Sequence, residues 1–240
     1  MDASVEEGQG LGRREAAKAE RRARIIRAAR DLIRETGNVG LSMRAIASRA
    51  GVSLATPYNL LGPKRAIVLA VLQDVREFQE RFANLTATDP LERIFTAVDI
   101  SIDFYISDPR FYKTTWAAVF DTSDEVRTEL LNPKREAFWQ GLVREAADAG
   151  AIAREVNVEM LQHQLDFLFR SVILDWVVDE MSSAALAPTI RLGFALVLNG
   201  AASPEWRGPL QARIIDSQAS VERANAANAS ANPGPPGGGS

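Results

Sequence analysis

The residues best suited to chemistry in this 240-residue chain are a short run of hydrogen-bonding side chains, Ser53, Thr56, Tyr58 and Asn59, followed by Lys64. Hydroxyls and an ammonium can reach phosphate oxygens, and a carboxamide can pair bidentately with adenine. This is the chemistry of holding a polyanion. Bond-breaking chemistry has little to work with. The chain has no cysteine and a single histidine, His163, which excludes thiolate nucleophiles, disulfides and histidine-rich metal sites. No phosphate loop, dinucleotide fingerprint, His-Glu-x-x-His or nameable Ser/His/Asp set is present. We therefore expect no enzyme, no cofactor and no metal.

Charge gives the second signal. Residues 1–10 carry three acids and no base, residues 11–65 carry 13 Lys or Arg against 4 Asp or Glu, and residues 66–240 carry 15 against 24. The bland net charge of −3 thus conceals a basic module on an acidic body. Such an arrangement suits a protein that touches nucleic acid with one part only.

The elements that must position these residues read as helices. Ile25, Ile26, Ala29, Leu32 and Ile33 recur at spacings of three and four, marking an amphipathic helix from about Arg13 to Gly37. Ser42 can cap a short helix over Met43–Ala50, with Ala45, Ile46 and Ala50 inward. Gly51 closes it, Val52 plugs the angle, and Ser53 can cap a third helix over Leu54–Leu60. Gly62-Pro63 opens a fourth, whose stripe Val68, Val71, Leu72, Val75, Phe78 and Phe82 runs to about Ala83. Two short helices joined by a tight turn form a helix-turn-helix, and a B-DNA major groove about 12 Å wide accepts the second, Leu54–Asn59, against base edges.

Ile25–Gly37, Ser42–Ala50 and the run Ala50-Gly51-Val52-Ser53-Leu54-Ala55-Thr56-Pro57-Tyr58-Asn59, with Lys64 after it, resemble the tetracycline-repressor (TetR) family of bacterial transcription regulators over about residues 20–75. The resemblance implies that Ser42 and Arg44 meet the DNA backbone or a base edge, and that Thr56, Tyr58 and Lys64 contact phosphate. It also implies a homodimer on a near-palindromic operator, released when a small molecule enters the carboxy-terminal body. Three positions depart from the family pattern: Ala55 stands where glycine is frequent, Pro57 replaces an aliphatic, and Leu60-Leu61 replaces histidine-phenylalanine. Pro57 removes a donor near the start of the recognition helix and is expected to distort it.

The body reads as helical too. Asp89-Pro90, Asp108-Pro109 and Asn132-Pro133 each start a helix, Val158–Met181 carries a wide apolar face, and Pro188–Asn199 is apolar nearly all round. The expected fold is all-α, about nine to ten helices. A three-helix DNA-binding domain over residues 13–65 is joined to a larger effector-binding and dimerisation domain over 66–216. Residues 1–12 and the Ala/Asn/Pro/Gly-rich 217–240 are expected to be disordered tails. For the effector, Phe104, Trp116, Phe120, Trp139, His163, Asp166 and Phe167 combine aromatic area with polar groups. For a dimer four-helix bundle, Phe169, Ile173, Trp176, Phe194, Val197 and Leu198 of the last two long helices are the candidates. The leading expectation is a ligand-responsive repressor in the cytoplasm, with no membrane span. The alternatives are a DNA-binding regulator without a small effector, and an all-helical enzyme or carrier.

Overall fold

The computed structural model describes residues 3–72, 82, 87–120 and 133–231, with side chains over 13–71, 82, 87–117 and 136–230. Ten helices are found there: α1 (Ala3–Thr36), α2 (Met43–Ala50), α3 (Ala55–Leu61), α4 (Lys64–Leu72), α5 (Pro90–Ile106), α6 (Pro109–Phe120), α7 (Pro133–Asp148), α8 (Val158–Val177), α9 (Ser183–Ala201) and α10 (Pro204–Ala231). Among the described residues the only extended pairing is a single bridge between Ile152 and Ala202. They divide into two units.

The first unit holds α1–α4 together with α6 from Arg110 onward. The apolar stripe of α1 is buried as its spacing requires, with Ile25, Ala29 and Ile33 fully covered beside Ile46 of α2 and Ile67 of α4. Gly37 ends α1 at φ +62, its N–H donating to the Ile33 carbonyl at 2.8 Å. A Cβ there would sit 2.5 Å from the Arg110 guanidinium, the movable end of a long side chain, so it is the backbone torsion that demands glycine. Because α4 belongs with this unit, the boundary expected at 65/66 is displaced. The expected continuation of α4 through Val75 and Phe78 lies outside the described residues.

The second unit contains α5 and α7–α10. Asp89 caps α5, accepting from the Glu92 N–H at 2.8 Å, and Asn157 caps α8, accepting from Met160 N–H at 2.9 Å. Ser182 caps α9, which starts five residues before Pro188. The core joins Ile94, Phe95, Val98 and Ile102 of α5 to Val143 and Ala146 of α7, Ile173 and Trp176 of α8, and Ile190 and Phe194 of α9. Asp99 pairs with Arg191 at 2.6 Å, fastening α5 to α9, and the Trp176 indole N–H donates to Ser183 Oγ at 2.9 Å.

Both expected tails are corrected over the described residues, and residues 1–2 and 232–240 lie outside them. α1 begins at Ala3, ten residues before the expected start. At the other end α10 runs to Ala231, through the segment whose composition suggested disorder. Alanine is the best helix former, and Leu210, Ile214 and Ser217 are buried at spacings of four and three, which anchors α10 on α9.

That packing overturns most of the expected dimer surface. Phe169, Ile173, Trp176, Phe194 and Leu198 are all buried within the single chain, and Val197 is half-buried. Much of the apolar surface of α9 is covered by α5, α8 and α10 of its own chain, while Leu196 stays exposed. α9 is also long and apolar enough to cross a membrane by length and composition, the only such helix among those described.

Candidate nucleic-acid interface

The turn between α2 and α3 is built from the backbone. Gly51 takes φ +65, ψ 40, its N–H reaching the Ser48 carbonyl at 3.2 Å while Val52 N–H reaches the Ala47 carbonyl at 3.0 Å. These two bonds form a Schellman motif, which satisfies carbonyls that a helix end would leave orphaned. A Cβ on Gly51 would meet nothing within 4 Å. Glycine is required there by torsion, not by crowding. Small Ala47 and Ala50 are buried where α2 meets its neighbours, and Val52 is half-buried as expected.

α3 starts at Ala55, one residue later than expected, with Leu54 as a non-bonding cap. Ser53 does not cap it through its side chain. Its carbonyl accepts from Thr56 N–H at 3.0 Å, and its Oγ lies 2.8 Å from Thr56 Oγ1. Nor does Ser42 provide a side-chain cap to α2, although its carbonyl accepts from Ile46 N–H at 3.0 Å. Both serines remain exposed.

One face of α3 is open. Leu54 is 46% exposed and Tyr58 49%, and Ala55 and Asn59 lie beside them at helical spacing. Pro57 is buried on the opposite side, with Leu60 and Leu61 half-buried. Ser42, Arg44, Ser53 and Lys64, before, on and after the helix-turn-helix, are exposed, and Thr56 is half-buried. Ala55 was not anticipated as a site residue. Its signal was the position itself, one residue after Leu54 and four before Asn59, where a methyl lets the backbone approach a surface closely.

Arg49 is a different kind of cation. It forms a two-point pair with Glu35 of α1, which holds the Glu35 carboxyl below its usual range by hydrogen bonding and charge. Its positive charge is already answered within the unit.

The second unit contains a narrow cavity lined by Trp139, Val143, Gln162, Leu165, Asp166, Phe169 and Phe194. The space open to a water's centre is about 20 Å³, room for about one water. Trp139 and Phe194 meet edge to face, with centroids 6.4 Å apart. Gln162 is 6% exposed, and Asp166 pairs with Arg170 at 2.7 Å. Of the effector candidates, only Trp139 and Asp166 line this cavity. His163 and Phe167 are corrected, since both are exposed on the outer side of α8. Phe104 is half-buried against Tyr105, Trp116 is buried in α6, and the Phe120 side chain lies outside the described residues. Gln162 was missed, although a polar residue inside the stripe Leu161, Leu165, Phe169 marked it.

Residues 25–71 match the profile of bacterial regulatory proteins, tetR family. Over this amino-terminal module the chain is similar to the TetR family. It is 32% identical over 114 residues to the HTH-type transcriptional activator FasR of Mycolicibacterium smegmatis, a match covering 46% of this chain and 52% of that protein, so the chain spans about half the length of that relative. Solved structures share the fold. Thermus thermophilus FadR, a TetR-family repressor in complex with lauroyl-CoA, superposes with a TM-score of 0.61 at 19% identity, covering 76% of this chain and 97% of that one. RolR in complex with resorcinol gives 0.59 at 16% identity, covering 83% and 95%. The native TylP regulator of Streptomyces fradiae gives 0.58 at 19% identity, covering 88% and 92%.

The departures from the TetR pattern have physical accounts. Pro57 is the third residue of α3, inside the first turn, where backbone N–H groups have no partner within the helix. Its missing donor therefore costs no helical bond, and the expected distortion reduces to a start one residue late. Leu61 is half-buried at the end of α3, and Gly62 follows at φ +93, its N–H donating to the Tyr58 carbonyl at 2.9 Å.

Proposed function

We propose that this chain is a dimeric, sequence-specific repressor of the TetR type that grips a near-palindromic operator and releases it when a small molecule enters the second unit. The observation that carries the DNA-binding part is the open face of α3, Leu54, Ala55, Tyr58 and Asn59, together with exposed Ser42, Arg44, Ser53 and Lys64. A seven-residue helix is about 10 Å long and fits a major groove about 12 Å wide. Asn59 would read adenine. Thr56, Tyr58 and Lys64 would hold phosphates, Lys64 from the start of α4, where free amides and the helix dipole already favour an anion. No enzymatic role is assigned.

The dimer is proposed to use residues the chain leaves uncovered: Phe167 and Leu174 of α8 and Val178 just past its end, spaced seven and four, and Leu196 of α9. Two copies would place two recognition helices on successive turns of one face of DNA, about 34–36 Å apart. Effector and operator then oppose each other by one shared coupling free energy, typically about 1–3 kcal/mol. Support for ligand response comes from similar proteins solved with lauroyl-CoA and resorcinol. The sign of regulation is this proposal's own, since one similar protein is named an activator and another a repressor. We place the chain in the cytoplasm, where bacterial DNA is found.

One observation favours a second reading, a regulator with no small effector: the cavity beside Gln162 holds about one water. A thermal-shift screen over apolar and aromatic compounds separates the two, because a ligand of the native state raises its melting temperature. The primary test is binding to DNA from around the protein's own coding region at several salt concentrations. Tight binding to one short near-palindrome, falling steeply with salt, is expected; equal binding to every duplex would overturn the proposal.

A further inference from the structure

Residues 13–22 of α1 have no packing task among the described residues. Every residue from Arg13 to Arg22 is exposed, and the first buried side chain among the described residues is Ile25. The helix nevertheless continues unbroken to Ala3. Four of its cations share one face, which Glu15 also borders, while Arg13 and Arg24 lie off it. Arg14, Lys18, Arg21 and Arg22 continue at spacings of three and four into Ile25, Ile26, Ala29 and Ile33, so they occupy the same helical face. That face is apolar where α1 packs on α2, α3 and α4, and turns basic where the helix overhangs them.

Within this stripe the like-charged neighbours Arg14/Lys18, Lys18/Arg21 and Lys18/Arg22 each disfavour the free helix slightly. Internal compensation is thin. Lys18 Nζ lies 3.9 Å from Glu15 Oε1, between two exposed side chains, and Arg21 Nε donates to the Ala17 carbonyl at 3.1 Å. Arg14 and Arg22 have no ion pair among the described residues. The arrangement is disfavoured in isolation and favoured against a polyanion.

We propose that this stripe is a second DNA-binding surface, in which Arg14, Lys18, Arg21 and Arg22 take phosphates of the same duplex outside the stretch held by the helix-turn-helix. The proposal rests on the DNA-binding reading above. Arg14 stands about 16 Å of helix beyond Ile25, and the four cations span about 12 Å. A duplex carries one negative charge per about 1.7 Å of its axis, so each cation has a phosphate within reach. DNA is favoured over an acidic protein because α1 packs directly on α3, so whatever the stripe holds lies alongside whatever α3 holds.

The test compares the full chain with the combined variant Arg14→Ala, Lys18→Ala, Arg21→Ala, Arg22→Ala. Alanine preserves the helix, which circular dichroism verifies. The probe is a duplex that the full chain selects from random-sequence DNA, in long and trimmed-flank forms. The slope of log K against log salt should become shallower by about 0.9 for each phosphate no longer neutralised, roughly 2–4 in all. Trimming the flanks should weaken the wild-type chain and leave the variant unchanged. A variant with Arg14→Lys, Arg21→Lys and Arg22→Lys should keep the steep slope. Equal slopes with sequence selection intact overturn the second surface and leave the functional reading standing. If the chain selects no sequence yet the variant's slope on bulk duplex still falls, the functional reading fails and the phosphate binding by the stripe stands.

Discussion

Arg49 holds Glu35 through both guanidinium nitrogens, Nη1 to Oε1 and Nη2 to Oε2, each at 2.7 Å, tying the end of α2 to the end of α1. The hydrogen bond from Arg49, helped by its charge, depresses the Glu35 pKa, so the folded chain binds this proton less readily than the unfolded chain. The pair's contribution is therefore complete above the unfolded carboxylate range and lost as pH falls through the lowered folded value. Glu35→Gln should lower the melting temperature modestly at neutral pH, with the difference vanishing in acid and shrinking in high salt, because the pair is exposed. Melting curves from about pH 7 to about pH 3 check it; a difference that grows in acid would refute the assignment.

Lys64 and Asn59 should fail in different ways. Lys64→Ala is expected to weaken binding to all duplexes by a similar factor and to reduce the salt slope by about 1. Asn59→Ala should instead relax preference at one base pair, worth about 1–3 kcal/mol of discrimination. Binding measured on a panel of single-base operator variants separates the two patterns.

Gly51→Ala isolates backbone torsion, since the added methyl has open space around it. Placing an L-residue at φ +65 costs about 1–2 kcal/mol, and the melting temperature should drop accordingly. DNA affinity should fall with it if the Schellman turn sets the angle of α3. A neutral result in both assays would mean that the turn rearranges freely.

Gln162→Leu tests the cavity of the second unit. Gln162 is 6% exposed and lines the cavity, and an apolar side chain of similar size there avoids the cost of desolvating a carboxamide. The variant should melt at the same temperature as the wild type or higher. It should also lose the thermal shift produced by any compound found in the screen. Retention of that shift would place the effector elsewhere.

The turn chemistry was legible in the sequence. Gly51 and Asp89-Pro90 act through local torsion and capping, which a short window of residues encodes, whereas the caps expected from Ser42 and Ser53 do not form through their side chains. The all-α fold and the helix-turn-helix followed from those signals and from the spacing of Ile25, Ala29 and Ile33. The direction of burial on α8 and α9 was not legible. Phe169 and Trp176 form an apolar stripe whether a neighbouring helix or a second subunit covers it, and α10 was hidden by a composition resembling a flexible tail. The effector candidates fared unevenly for a related reason. Trp139 and His163 are each suited by type to a pocket, but only the long-range packing of α7 against α8 decides that one faces it and the other faces solvent.

Pro57 gives the reading helix an unusual thermodynamic character. A pyrrolidine ring locked near one torsion angle, and wedged into the interior at the third of seven residues, narrows the conformers available before any partner arrives. The segment meets its target already rigid, so little ordering entropy is lost on docking. Calorimetry of complex formation should then register a heat-capacity change that reflects buried area alone, without the surplus that accompanies a helix condensing on contact.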